Sequence, residues 1–262
     1  MKLKRGALAE LHGQMACAKA ESTGGFCTNY FRQEMPGREI LSAATARTVL
    51  LLNKEHDFFR LYFFTTDVAD LEQCLRELDF PGNTVVGYLT RSPDENMAAA
   101  FQLSGFKPIA TYRRMITYKL PAHGPNAALR YATGADVDKL HQALFQTFNK
   151  YTDHLPTKDL LHRYVENEWV IVNRRAGRIL GVVCFQLKGP RVNYNYLYNL
   201  SGNPLDFLQL QHNFYGTMHQ RGIHSGFLWI NQTDTRVAAL HESMGWHFDG
   251  LKDHFYLRSS VN

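Results

Sequence analysis

Few side chains in this sequence fall into a pattern that does chemistry unaided. His241 shares an apolar stripe with Val237, Leu240 and Met244, spaced i, i+3, i+4, i+7 along one helical face. An ordinary imidazole pKa near 6.5 suits proton transfer at neutral pH, and the same stripe suits a hydrogen-bonded core histidine. Glu166 and Glu168, just ahead of a predicted hairpin, can serve as a general base directly or through water, or stand as surface charges. Tyr194, Tyr196 and Tyr198 alternate with asparagines, so one face of a predicted strand presents three tyrosines. They can line an acceptor pocket or pack as an aromatic sheet face. His212, His219 and His224 lack the spacing of a metal site, and Cys17, Cys27, Cys74 and Cys184 form no CxxC pair. Neither a metal nor a disulfide framework is expected, and no Ser-His-Asp or Cys-His arrangement stands out.

The elements that must hold these residues centre on Gly226 to Asp249. Gly226–Ile230 reads as a buried strand, Asn231–Asp234 as a turn in which Thr233 or Asp234 caps a helix, and Val237–Met244 as a short helix. Gly245 then stops the helix before a strand at Trp246–Phe248. The same unit occurs 140 positions earlier without a gap: Val86–Thr90, Asp94–Ser104, then Gly105-Phe106. Asp94/Asp234, Ala98/Ala238, Ala99/Ala239 and Gly105/Gly245 are identical across the offset, which points to a duplicated fold.

Around this unit the chain reads in order. Ala7–Ala20 and Gly37–Ala46 are expected as helices, with Phe26–Phe31 as a strand. Two strands, Thr48–Leu52 and Arg60–Phe64, precede a helix capped at Thr66 or Asp67 and running to Leu78. Thr111–Leu120 is a strand, and Leu120–Asn126, with two prolines and a glycine, is the best linker. The expected domains are therefore 1–122 and 123–262. The second half opens with a strand at Ala128–Ala132, then helices Ala135–Asn149 and Thr157–Glu166. A hairpin follows at Trp169–Leu187 around the basic turn Asn173–Arg178, then a strand at Arg191–Leu200 and a helix from Leu205 to Arg221.

Composition limits the function. With 262 residues, 45% hydrophobic and 20% charged, the chain is globular, and a net charge of +5 is too small for a nucleic-acid binder. Lys2, Lys4 and Arg5 look like the start of a signal peptide, but the next stretch is too polar for its apolar region. No apolar run of about 18 residues is present, so no membrane span is expected. A soluble cytoplasmic protein with reduced thiols is the reading.

This element order resembles that of the GNAT superfamily of N-acyltransferases. The closing unit, with Asn231, Ala238, Leu240 and Gly245-Trp246, is similar to the superfamily's C-terminal signature. The resemblance covers residues 128–258 well and 48–120 in part. It implies an α/β (α+β) fold, a mixed central sheet flanked by helices, as a partial, degenerate first copy and a fuller second one. It further implies acetyl-CoA as acyl donor and the amine of a small molecule, such as an amino sugar, as acceptor. The donor would lie between two parting strands and against a helix N-terminus. On that resemblance Tyr198, Leu200, Ser201, Gly202, Asn203 and Asn231 are donor-binding candidates. Tyr151, His154 and Tyr196 would meet the acceptor, His241 would act as the acid and Glu168 as the base. Phe101 stands at the position of His241 in the first copy and cannot give a proton. The loop Leu200–Asp206 departs from the glycine-rich phosphate pattern, since Pro204 lacks an N–H and Asp206 brings a carboxylate to the helix N-terminus. A non-catalytic module for ligand binding or homodimer contact is the alternative.

Overall fold

The computed structural model describes residues 1–5, 8–22, 25–29, 40–92, 94–122 and 130–260. They form two compact units that do not follow chain order. Unit 1 is Met1–Thr111 with Leu251–Asn262, and unit 2 is Tyr112–Gly250.

Unit 1 begins with β1 (Lys4–Arg5), α1 (Leu8–Glu21), β2 (Cys27–Thr28), β3 (Ile40–Ala44), β4 (Thr48–Glu55) and β5 (Phe58–Thr65). It continues with α2 (Val68–Glu77), β6 (Thr84–Thr90) and α3 (Glu95–Leu103), and β7 (Lys107–Thr117) leads into unit 2. Unit 2 holds α4 (Val137–Thr147), α5 (Lys158–Glu166), β8 (Val170–Arg175), β9 (Arg178–Lys188) and β10 (Arg191–Asn199). After these come α6 (Pro204–Gln220), β11 (Ser225–Asn231) and α7 (Thr235–Ser243), and β12 (His247–Arg258) returns the chain to unit 1.

Within unit 1 the strand order is β1-β3-β4-β5-β6-β12; within unit 2 it is β8-β9-β10-β11-β7. Each sheet is antiparallel except for one parallel pair, β5 with β6 and β10 with β11. A helix joins each parallel pair, as a parallel connection requires. Each unit thus takes its last strand from the other half of the sequence.

The residues shared by the two copies do the same work in both. The Asp94 carboxylate accepts from Met97 N and the Asp234 carboxylate from Val237 N, each closing a helix N-terminus. Gly105 and Gly245 both adopt φ +84, the left-handed geometry that ends the helix. Core side chains cover both faces of each sheet. On β9, Val183 and Phe185 pack with Phe214 of α6, while Val182 and Cys184 pack with Leu144 of α4 and Leu161 of α5.

Three expectations change. Ile40–Ala44 is a strand and not part of a helix: it pairs with β4 from Ile40–Asn53 to Ala44–Val49, and this ladder outweighs the helical preference of its alanines. Of Ala128–Ala132 only Tyr131 forms a bridge, to Ile171, and residues 128 and 129 lie outside the described residues. Of Phe26–Phe31 only Cys27–Thr28 is strand, with 30 and 31 outside the described residues. So are residues 123–126 of the expected linker.

Candidate active site in unit 2

The site is built around a place where two strands stop pairing. β10 and β11 run together from Arg191–Ser225 to Tyr194–Leu228, and their ladder ends there. β9 stays paired with β10 as far as Asn199. Beyond Tyr194 the β10 edge toward β11 therefore carries no ladder. Just before the parting the strands are pressed together: a Cβ on Gly226 would stand 2.6 Å from Val192 Cγ1 and 2.8 Å from Val192 O. Only glycine lets the backbones approach so closely.

A register shift against β9 between Tyr194 and Tyr196 marks a bulge at the parting point. One extra residue turns the side chains beyond it to the opposite face. Val192 and Tyr194 pack toward α6, whereas Tyr196 and Tyr198 pack toward α4 and α5. The expectation of three tyrosines on one face is corrected accordingly.

On the α6 face, His241 is 3% exposed and meets Tyr194 and Trp246 edge-on, each at 5.9 Å between ring centroids. Its Nδ1 has no partner among the described residues. Burial lowers its pKa to about 4, so the ring is neutral at pH 7. In that state it carries no imidazolium proton, and its surroundings are those of a buried core histidine. Trp246 is anchored by its Nε1–H, which donates to Tyr215 Oη at 3.0 Å.

At the end of β10 the chain turns on itself. The N–H groups of Leu200 and Ser201 both donate to Leu180 O, at 2.7 and 3.0 Å. Asn199 Nδ2 donates to Asn203 O at 2.8 Å, Asn203 N donates to Ser201 Oγ at 3.1 Å, and Gly202 takes φ +68. The Asn203 side chain caps α6 by accepting from Leu205 N. Asp206 accepts from Arg175 at 3.0 Å, so its charge is matched by a guanidinium whose side chain is 70% exposed. Arg175, from the turn read only as basic, thus brings a positive charge to the helix N-terminus.

On the α4 and α5 face a loop crosses the gap. Tyr196 Oη on β10 donates to Asp153 O and His154 O, at 3.1 and 2.7 Å. Tyr112 on β7, in register with Asn231 of β11, donates to Asp153 Oδ1 at 2.7 Å. Its hydroxyl also meets the buried Thr152 Oγ1 at 3.0 Å. Asn149 N donates to the other carboxylate oxygen at 2.7 Å. The loop is thereby tied to strands on both sides of the parting. Burial raises the Asp153 pKa, against the hydrogen bonds from Tyr112 and Asn149 that lower it. His154 is exposed at φ +48, and Tyr151 is half-buried beside it. Asn231 Oδ1 accepts from Thr233 N and Thr233 Oγ, turning the chain out of β11. Tyr198 Oη is buried without a partner among the described residues, and desolvation raises its pKa so that it keeps its proton.

No family model and no curated protein matches the sequence. Solved structures do. A GCN5-related N-acetyltransferase from Kribbella flavida superposes with a TM-score of 0.58 at 10% identity, over 97% of this chain and 96% of its own. An acetyltransferase of the GNAT family from Colwellia psychrerythraea gives 0.57 at 9% identity, over 99% and 100%. A tandem GNAT protein from the clavulanic acid biosynthesis pathway gives 0.55 at 11% identity, over 99% and 98%. The fold is that of the GNAT acetyltransferases.

Within this GNAT fold the sequence-derived candidates separate. Tyr196 binds the backbone of Asp153 and His154, Tyr198 packs on the same face, and Leu200–Asn203 form the turn after β10. Glu168 lies near the opposite end of α6 from the turn at Gly202. It is exposed at φ +54 and pairs at 2.9 Å with Arg221, the residue that ends α6. The 17 residues of α6 span about 25 Å from that end to the turn at Gly202. Asp153, Tyr112 and Arg175 were missed because their places come from tertiary contacts; the only sequence signal was a carboxylate within an aromatic loop. A separate cavity of about 570 Å³ opens between α6 and α7, lined by Leu208, Gln211, His212, Leu240 and Met244. Among the described residues no cluster of three or more His, Cys, Asp or Glu could hold a metal, and no helix is long and apolar enough to cross a membrane.

Proposed function

We propose that the chain is an acyltransferase that moves an acetyl group from acetyl-CoA to the amine of a small cationic molecule, with unit 2 as its working half. The observation that carries this reading is the parting of β10 from β11 beneath a loop that holds Asp153. An open ladder edge suits the amide-bearing arm of the donor. Arg175 and the turn at Ser201–Asn203 suit its phosphates. Tyr198 Oη, buried and protonated, supplies a spare donor toward a developing oxyanion.

On the opposite face Asp153 is a partly buried carboxylate held by hydrogen bonds from Tyr112 and Asn149 N. An acceptor ammonium suits a partly buried carboxylate, and a carboxylate of raised pKa takes a proton from it more readily than an ordinary one. The neutral amine then attacks the thioester carbonyl. The C–N bond forms, the C–S bond breaks, and the amine's surplus proton passes to the departing sulfur. Tyr112 and Tyr196 act as positioning residues that fix the Asp153 loop; Tyr151 and His154 form its rim. The four cysteines are free, which suits a reducing cytoplasm.

A second reading, a GNAT fold that binds ligand without turnover, draws on the turn at Leu200–Asn203, whose N–H groups are largely spent within the protein. The test is a melting curve with acetyl-CoA, followed by turnover with a panel of small amines. At 100 times its dissociation constant the donor adds about 2.7 kcal/mol of stability. A shift with turnover upholds the proposal, a shift without turnover on any amine removes its catalytic step, and no shift at millimolar donor favours the second reading.

A further inference from the structure

Unit 1 has the same parting, and its own chain fills it. β5 and β6 pair from Phe59–Thr84 to Leu61–Val86 and then separate. β4 covers one edge of β5 along its whole length, from Thr48–Thr65 to Glu55–Phe58. A strand has two edges, so the pairing of β2 with β5 at Cys27–Thr65 and Thr28–Phe64 sets β2 on the edge that β6 has left.

Asn29 completes the closure. Its Nδ2 donates to Leu61 O on β5 at 3.0 Å and to Gly87 O on β6 at 2.8 Å. Its Oδ1 accepts from Phe63 N at 2.7 Å, and its own N–H donates to Phe63 O at 3.3 Å. Thr28 Oγ donates to the same carbonyl at 2.6 Å, and the Phe26 ring stacks on Phe64 at 5.2 Å. Asn29 is 9% exposed. One primary amide therefore satisfies backbone groups of both strands at the fork, as an extended amide-bearing ligand would. The helix beside it is also closed to anions. The Asp67 carboxylate accepts from Ala69 N and Asp70 N at the start of α2 and pairs with Arg47 at 2.7 Å.

We propose that Phe26–Asn29 is a built-in occupant of a second ligand lane, with Asn29 as its latch, so that the chain offers one open lane and holds another closed. The count of one open lane rests on the reading of the β10–β11 gap given above; the latch does not. Release of this segment would uncover, in unit 1, a lane for an extended diamide without phosphates, because the Asp67 carboxylate already takes the N–H groups at the start of α2.

Pantetheine, which has two amides and no phosphate, is the probe. Native mass spectrometry counts it on the full-length protein and on Asn29→Ala, and hydrogen exchange follows the Phe63 amide in both. The expected result is one equivalent on the wild type and two on the variant, with Phe63 exchanging at least tenfold faster in the variant. None on the wild type and one on the variant would support the latch while removing the unit 2 reading. Two equivalents on the wild type, or no gain on a variant whose Phe63 is deprotected, overturns the proposal. Should Asn29→Ala fail to fold, the wild type still decides: rapid exchange at Phe63 overturns the latch, and protection that survives millimolar pantetheine upholds it.

Discussion

The two units solve one geometric problem in opposite ways. Each parts its single parallel pair, β5 from β6 and β10 from β11, and leaves strand edges that need partners. In unit 1 the partner is the chain itself, through β2 and the Asn29 amide. In unit 2 no described strand enters the gap, and a loop bearing Asp153 spans it from Tyr196 to Tyr112. The helices differ in the same sense. α2 is capped by the anionic Asp67 and α6 by the neutral Asn203, with Asp206 matched by Arg175. The split thus belongs to the scaffold, and what fills it separates a closed copy from an open one.

The comparison breaks most sharply at Asp153. Asp153→Asn should lower kcat/KM by roughly 10²–10⁴ while donor affinity holds, as measured by initial rates beside a donor titration. In the wild type, activity should rise with pH through a pKa above the ordinary carboxylate range. Unchanged turnover would strip unit 2 of its proposed base.

Next in size is Gly226, which lets β10 and β11 touch before they part. The aligned residue in unit 1 is Val86, so the two copies differ here in side-chain bulk. Gly226→Ala brings a Cβ into Val192 and should cost about 1–3 kcal/mol in urea melts.

Much of this was legible in the sequence because local chemistry dictates it. A cap at Thr233 or Asp234 and a stop at Gly245 need only their immediate neighbours, and the repeat of Asp94 and Gly105 stood out for that reason. The bulge at Tyr194–Tyr196 was not legible, since it exists only in the register with β9. Nor were Asp153 and Tyr112, 41 residues apart in sequence and joined by one hydrogen bond. Ile40–Ala44 misled because alanine prefers helix and β4 supplies the deciding ladder. His241 lay on the expected stripe, and its burial, which sets its charge, is a tertiary property.

A smaller contrast concerns two buried titratable groups, one in each unit. Burial holds His241 neutral with a pKa of about 4, so the stability it permits is present above its ordinary 6.5 and is lost as pH falls toward 4. Burial pushes Asp253 up to about 7 against the field of Arg60, so its contribution falls as pH rises from about 4 to about 7. Relative to wild type, His241→Phe should therefore gain most stability near pH 4.5, and Asp253→Asn most near pH 7. Urea melts at the two pH values check the opposite signs. Smallest of all, Glu168→Gln should leave turnover unchanged and stability within about 0.5 kcal/mol, because its pair with Arg221 is exposed.

Hydrogen exchange with and without saturating acetyl-CoA tests the central claim most directly. The account predicts new protection at Leu197–Gly202 and at Trp229–Asn231, with Phe63–Thr65 and Gly87 unchanged. Protection appearing in unit 1, or none along β10 and β11, would contradict it.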